Sequence, residues 1–95
     1  MEVGNMKTVK FNDLANYLGH GREIEFVYNG KQYSITNNKD GWQFCCDTDM
    51  VSELLCPFRE FATLVEKVAQ KIIEGKTLTE IFDQLLYDEN QLEIL

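Results

Sequence analysis

The side chains best suited to acid–base chemistry lie close together near residues 20–25. His20 stands between Gly19 and Gly21, and a histidine in a turn beside a strand can act as a general base. Glu23 and Glu25 alternate along the next segment, so a strand would place their carboxylates about 7 Å apart, a separation compatible with glycoside hydrolysis. Catalysis needs a constellation, and the sequence places no nucleophile or orienting carboxylate beside the imidazole. We therefore expect an exposed histidine in a helix-to-strand connection and two solvated glutamates.

Two other groups of residues resemble metal-ligand sets but have the wrong spacing. Cys45 and Cys46 are adjacent, so on a strand their thiols point to opposite faces, and Cys56 provides no C-x-x-C spacing. The aspartates at positions 40, 47 and 49 lack the spacing of an EF-hand loop. We expect reduced thiols that behave as small apolar residues, aspartates that serve in turns, and no metal or cofactor.

The charge distribution argues against a nucleic-acid partner. The chain has a formal net charge of −7, and residues 74–95 carry six acidic residues and one lysine, a net of −5. A phosphate backbone would be repelled by this segment. The aromatic residues at positions 26, 28, 33 and 42 are of the kind that stacks on bases, but such a platform needs more basic neighbours than these have. We expect them in the core.

Length and composition predict one domain over residues 1–95. Apolar residues make up 44% of the chain, which suffices for a core and is too high for a disordered segment. No apolar run approaches the ~20 residues of a membrane span. Residues 1–7 lack the apolar region of a secretory signal, and whether they are ordered stays open. These features favour a cytoplasmic protein without a membrane partner.

The segment 22–36 predicts a β-hairpin. Apolar and polar residues alternate on both sides of Asn29-Gly30, the dipeptide best suited to a two-residue type I′ turn. Such a turn pairs positions whose numbers sum to 59, for example Phe26 with Tyr33. This register places aromatic and β-branched pairs on one face, so turn chemistry and hydrophobic pattern agree.

Helical periodicity predicts elements on both sides of the strands. A first helix is expected at about residues 9–18 with Thr8 as N-cap, and a longer one over residues 57–73 that Gly75 ends. A capping box over residues 77–80 begins a last helix of about ten residues.

A third strand begins at Trp42, and the segment 51–55 is either a fourth strand or an irregular approach to a helix. The strand is preferred because Pro57 suits a first helical turn capped by Cys56. The fold class is therefore α+β: an antiparallel three- to four-stranded meander with one face covered by helices, in the order α-β-β-β-(β)-α-α.

Two segments carry a resemblance to a known group of proteins. The hairpin with its Y-N-G-K-x-Y turn and the later pattern G-K-x-L-x-E-I-aromatic-D at residues 75–83 resemble small uncharacterised proteins of Gram-positive bacteria and their mobile elements. The resemblance spans about residues 8–87. It implies this fold and a bacterial source, and it implies no activity for any residue.

Six apolar residues are hard to place inside a single core: Met50, Val51, Tyr87, Leu92, Ile94 and Leu95. Such a set usually marks a surface that contacts another protein or a second copy. The alternation in residues 91–94 is typical of a strand added to the edge of its own or a partner's sheet, and equally of a tail that caps the core. Both readings stay open.

These observations predict a noncatalytic protein-interaction or regulatory module of a bacterial cytoplasm. The alternative is a small enzyme or ligand-binding domain that uses the His20 turn.

Overall fold

The computed structural model describes residues 8–95, so the order of residues 1–7 lies outside the described part of the chain. The elements follow in this order: α1 (Phe11–Gly19), β1 (Ile24–Tyr28), β2 (Lys31–Asn38), β3 (Gly41–Cys46), β4 (Val51–Cys56), α2 (Phe61–Gln70), β5 (Ile72–Ile73), β6 (Lys76–Thr77), α3 (Leu78–Asp83), a 3-10 turn (Glu89–Gln91) and β7 (Glu93–Ile94). The α+β class and the antiparallel meander are confirmed, and β4 is a strand.

The β1–β2 hairpin forms as its turn residues predict. Asn29 and Gly30 have φ values of 50° and 78°, both in the left-handed region that a type I′ turn requires. The register pairs Phe26 with Tyr33 and leaves no bulge between the two strands. Turn chemistry and the hydrophobic pattern therefore agree on which side chains of this hairpin point toward the core.

The main sheet has five strands in the order β4-β3-β2-β1-β7, with every neighbouring pair antiparallel. Helices cover one face, which we call the core face: the Phe26 ring meets Phe82 of α3 with centroids 5.2 Å apart, and Trp42 meets Phe61 of α2 at 6.4 Å. The largest fully buried side chains are Trp42, Phe26, Phe82, Leu14, Leu18, Ile24, Ile35, Leu64, Leu78, Ile81 and Val68.

Helix α1 begins later than expected, and Thr8 does not cap it. Its first turn is satisfied by carboxylates instead: the Phe11 N–H donates to Asp83 Oδ1 (2.9 Å), and the Lys10 N–H donates to Asp13 Oδ2 (3.1 Å). The Asp83 bond joins the start of the chain to α3. A cap from a residue so distant in sequence leaves no local pattern to find.

Helix α2 is shorter at both ends than the predicted 57–73. Cys56 is the last residue of β4 rather than a cap, and the chain turns over residues 57–60 before the helix starts at Phe61. Beyond Gln70 the chain forms the β5–β6 hairpin, whose two-residue turn is Glu74-Gly75 with φ values of 51° and 88°. The glycine thus serves a second hairpin turn and does not end the helix.

The capping box at α3 is confirmed: the Glu80 N–H donates to Thr77 Oγ1, and the Thr77 N–H donates to Glu80 Oε1. The helix has six residues instead of about ten. It ends because Leu85 adopts a left-handed φ of 55°, which turns the chain back toward the sheet.

The C-terminal segment returns to the molecule's own sheet. Strand β7 pairs with β1, with Ile94 opposite Ile24. Residues 93–94 therefore form a strand at the edge of the molecule's own sheet. The expectation that Tyr87 lies outside the core is wrong, since its side chain is only 3% exposed. Its hydroxyl accepts from the Val9 N–H (3.0 Å) and donates to the Val9 carbonyl (2.7 Å), so a buried polar group is satisfied by the backbone.

Candidate interaction site

The structure does not bring the acid–base candidates together. His20 is exposed, and its Nδ1 lies 2.8 Å from the Asn16 carbonyl oxygen at the end of α1. Glu23 Oε2 accepts from the Asn37 N–H (2.9 Å), and Glu25 lies opposite Glu93 across β1 and β7. Within residues 8–95, no carboxylate hydrogen-bonds to the imidazole. The geometry therefore offers no general-base pair at this turn.

The cysteines and aspartates serve structural roles. All three cysteines are free thiols, and burial raises the pKa of the Cys56 thiol. Asp47 accepts from the hydroxyl of Ser34, a residue that is only 3% exposed, so the β3–β4 turn covers part of the other sheet face. Over the described residues 8–95, no group of three or more His, Cys, Asp or Glu side chains is arranged to hold a metal ion.

Of the six residues of the predicted interaction surface, Tyr87 lies in the core and the other five lie at opposite edges of the sheet. Met50 and Val51 lie at the β4 edge, 90% and 60% exposed. Leu95 follows β7 at the other edge and is 58% exposed, while Leu92 and Ile94 are half-buried against the core. These five residues therefore form two regions, and only the region at β4 combines exposed apolar side chains with a long strand.

The outer edge of β4 is the largest unpaired stretch of backbone in the sheet that the structure describes. The strand has six residues and pairs only with β3. Residues 51–54 are all exposed, and Val51 and Leu54 show apolar side chains to solvent at 60% and 59%. Just before them, Met50 holds a left-handed φ of 59° that is costly for a residue with a side chain. We call residues 51–54 the free edge.

An apolar groove lies beside the free edge on the core face. Its floor is formed by Tyr33, Phe44 and Cys46, and its walls by Val51 of β4 and Ile72 of the β5–β6 hairpin. The cavity volume is about 320 Å³, the lower end of the range for ligand pockets. The groove exists because the β5–β6 hairpin replaces the last turn of the predicted helix and leaves this corner of the sheet partly uncovered.

Charged side chains form the rim of the groove. Lys31 Nζ lies 2.9 Å from Asp49 Oδ2 at one end, and Lys71 pairs with Glu53 at the other. The hydrogen bond and charge of Lys31 hold the pKa of the Asp49 carboxyl below its usual value, and the same contact raises the pKa of Lys31. Below them, burial raises the pKa of the Tyr33 hydroxyl.

A third carboxylate at the rim has a neutral partner. Glu74 Oε1 accepts from the side-chain amide of Asn29 at 2.7 Å, and no cation lies within ion-pair distance of it among residues 8–95. The groove is thus apolar at its floor and carries an excess of negative charge at its rim.

Sequence reasoning missed Leu54 and Ile72 as surface residues. Ile72 continues the apolar stripe of α2 at helical spacing, so periodicity assigned it to a buried helix face. The usable signal was Glu74-Gly75, a second dipeptide able to adopt left-handed φ between short β-prone segments.

Comparisons of the chain with protein-family models, curated proteins and solved structures find no match. No helix within residues 8–95 combines the length and apolar character needed to cross a membrane.

Proposed function

We propose that this protein is a noncatalytic interaction module of a bacterial cytoplasm, which binds an extended segment of another protein by strand addition at β4. The observation that carries the proposal is the free edge: residues 51–54 are exposed and unpaired on their outer side. An added strand gains backbone hydrogen bonds along such an edge, and pockets for alternate side chains provide specificity.

The composition of β4 supports this function. Proteins normally protect a sheet edge with lysine, proline, a bulge or a very short strand, because an exposed edge pairs with any available strand. Val51–Cys56 contains neither lysine nor proline, and its register shift lies opposite Trp42 and Gln43, beyond the free edge. The exposed Val51 and Leu54 add apolar contacts on the two faces of an incoming strand.

The exposed side chains of β4 would also contact an added strand. An added strand would place alternate side chains on the core face, next to Val51. There an apolar side chain can pack against the outer side of Val51, which is 60% exposed. Main-chain pairing then supplies affinity, and contacts with Val51 and Leu54 favour apolar residues on the two faces of the added strand.

A bacterial, cytoplasmic setting is part of the proposal. The resemblance of two segments to proteins of Gram-positive bacteria supports the source, and three free thiols suit a reducing compartment. A tagged chain expressed in a Gram-positive host should appear in the cytoplasmic fraction, and recovery from the membrane or medium would contradict this part.

Strand addition is tested with a labelled probe peptide of sequence TQVTIQVTQ, which is neutral and β-prone. Fluorescence anisotropy should detect binding to the full chain, and a proline-interrupted peptide, TQVPIPVTQ, should not bind. Val51→Lys and Leu54→Lys should each weaken binding at least tenfold. Leu95→Lys changes an equally exposed residue at the other edge and should leave binding unchanged.

The melting temperatures of all three variants must match the parent, which excludes unfolding as the cause. No binding of either peptide up to about 1 mM, the weakest affinity of interest, would overturn the proposal. Equal weakening by Leu95→Lys would also overturn it.

A further inference from the structure

We infer that the groove on the core face binds a small apolar amine, with its ammonium group at Glu74 and the Tyr33 hydroxyl and its apolar body over the aromatic floor. This site is separate from the free edge, because the groove lies over β2 and β3 and an added strand lies outside β4. The inference therefore goes beyond the proposed function, and its failure would leave strand addition untouched.

The Tyr33 hydroxyl is a buried polar group that borders the groove. Tyr33 is only 5% exposed, yet within residues 8–95 its hydroxyl forms no hydrogen bond. Tyr87 is similarly buried, and its hydroxyl bonds to both polar groups of the Val9 backbone. Since buried polar groups are nearly always satisfied, a tyrosine hydroxyl that lacks a protein partner and lines a cavity indicates a position for the polar group of a ligand.

The charges around this hydroxyl select a cation. Burial raises the pKa of Tyr33 most, and the nearby negative charge of Glu74 raises it further. The two lysines that line the groove, Lys31 and Lys71, are each already paired with a carboxylate. Glu74 hydrogen-bonds to the neutral amide of Asn29 instead. An anion would therefore find these cations occupied, whereas an ammonium group can form a charge-assisted hydrogen bond with the Glu74 carboxylate.

The floor and walls of the groove suit an apolar body. The rings of Tyr33 and Phe44 have centroids 5.9 Å apart, and Lys71 Nζ lies 5.3 Å from the Phe44 centroid in a cation–π contact. Val51 and Ile72, 60% and 63% exposed, form walls whose apolar surface faces water. The hydrocarbon part of a ligand would cover this surface, and burial of apolar area favours binding.

The probe is 2-phenylethylamine, because a cavity of about 320 Å³ accepts a small molecule. Its neutral and anionic counterparts are 2-phenylethanol and 3-phenylpropionate. A ¹H–¹⁵N NMR titration of the full chain measures the dissociation constants and locates the site. The amine should bind at about 1 mM or tighter, an affinity within reach of a ligand of this size, and shift the residues that line the groove. The alcohol should bind about tenfold more weakly, and the anion should not bind.

Two conservative variants test the assigned contacts. Glu74→Gln and Tyr33→Phe should each weaken amine binding about fivefold, the effect of losing one hydrogen bond to a charged group. Tyr33→Phe should keep the parental melting temperature, since it removes a hydroxyl without a protein partner, in contrast to Tyr87→Phe. The matched charge control is Glu66→Gln, which changes an exposed glutamate of α2 outside the groove and should leave amine binding unchanged.

Four results would overturn the inference. They are equal affinity for the amine and the alcohol, shift changes confined to residues outside the groove, equal losses of affinity in Glu66→Gln and Glu74→Gln, and no binding of the amine up to about 10 mM. Peptide binding at the free edge is measured separately with TQVTIQVTQ, so the two sites are tested independently.

Discussion

The two edges of the main sheet are built differently. At one edge β7 has two residues, and the backbone around it is tied down: Arg22 Nη2 donates to the Ile94 carbonyl (3.3 Å), and the Leu95 N–H donates to the Glu23 carbonyl (2.7 Å). At the other edge β4 has six residues, and the contact to its outer side comes at the far end, from Lys67 Nζ to the Leu55 carbonyl (2.8 Å).

The difference shows how this small domain limits self-pairing at one edge and leaves the other available. A two-residue strand gives an incoming chain too few hydrogen bonds to hold it, and the like charges of Glu25 and Glu93 oppose tighter packing there. The free edge is four residues long, and its one charged side chain, Glu53, is paired with Lys71. Availability of an edge is therefore a property of strand length and of neighbouring side chains, not of the sheet as a whole.

The largest expected effect concerns how β4 is joined to the sheet. Gly41 has a φ of 121°, and a Cβ added there would lie 2.3 Å from the Cys56 carbonyl oxygen. Gly41→Ala should therefore cost about 3 kcal/mol of unfolding free energy through combined clash and backbone strain. Urea denaturation followed by tryptophan fluorescence measures this change, with Trp42 as the reporter.

Gly19→Ala is the matched control for that substitution. A Cβ at Gly19 meets no atom within 4 Å, and the residue lies within α1. Its stability should equal the parent's or exceed it by up to about 1 kcal/mol, because alanine is the better helix former. Equal midpoints for the two alanine variants would show that β4 does not pack on Gly41 as described.

A smaller loss is expected from the anchor of the opposite edge. Tyr87→Phe removes the hydroxyl that bonds both polar groups of the buried Val9 backbone. Unfolding free energy should fall by about 1–3 kcal/mol, the usual cost of leaving buried groups unpaired. Thermal denaturation by circular dichroism checks this. A variant as stable as the parent would mean that water replaces the hydroxyl and that the C-terminal segment is held by packing alone.

Lysine substitutions at either edge should hardly change stability. Val51, Leu54 and Leu95 are all more than half exposed, so Val51→Lys, Leu54→Lys and Leu95→Lys should shift unfolding free energy by about 0.5 kcal/mol or less. Unchanged stability in these variants would show that a loss of peptide binding at the free edge is not caused by unfolding. A loss above 1 kcal/mol at Val51 would indicate that the groove is packed shut in solution.

The smallest expected effect is a change in the pKa of the Asp49 carboxyl at the groove rim. Lys31 lowers the pKa of Asp49, so in the folded protein this contact contributes stability above the ordinary value of 3.8 and loses it as pH falls through the lowered pKa. Lys31→Met should return the pKa of the carboxyl toward 3.8. A carbon-detected NMR titration of the aspartates measures it. An unchanged pKa would show that the ion pair does not persist in water.

Much of the fold was predictable because its signals are local. Asn29-Gly30 sets the first hairpin within two residues, and the Thr77–Glu80 capping box sets the start of α3 within four. Both depend on backbone conformations that the residue types themselves favour. The α+β class follows from these elements.

The rest could not be predicted because it depends on distant contacts or on competing periodicities. Tyr87 is buried by reaching Val9, and Asp83 caps α1 from another helix. Ile72 satisfies the helical pattern of α2 yet lies in a hairpin. Of the candidate site, Met50 and Val51 were identified from their apolar character, and the groove beside them was not, since it forms only where the hairpin meets the sheet.

The central claim is that a partner strand pairs with the outer edge of β4. The most direct measurement is an isotope-filtered NMR experiment on the complex of the ¹⁵N,¹³C-labelled chain with TQVTIQVTQ. Strand addition predicts cross-strand backbone contacts between the peptide and residues 51–54, together with peptide side chains in contact with Val51 and Leu54. Peptide contacts confined to the helices or to the β7 edge would contradict the account.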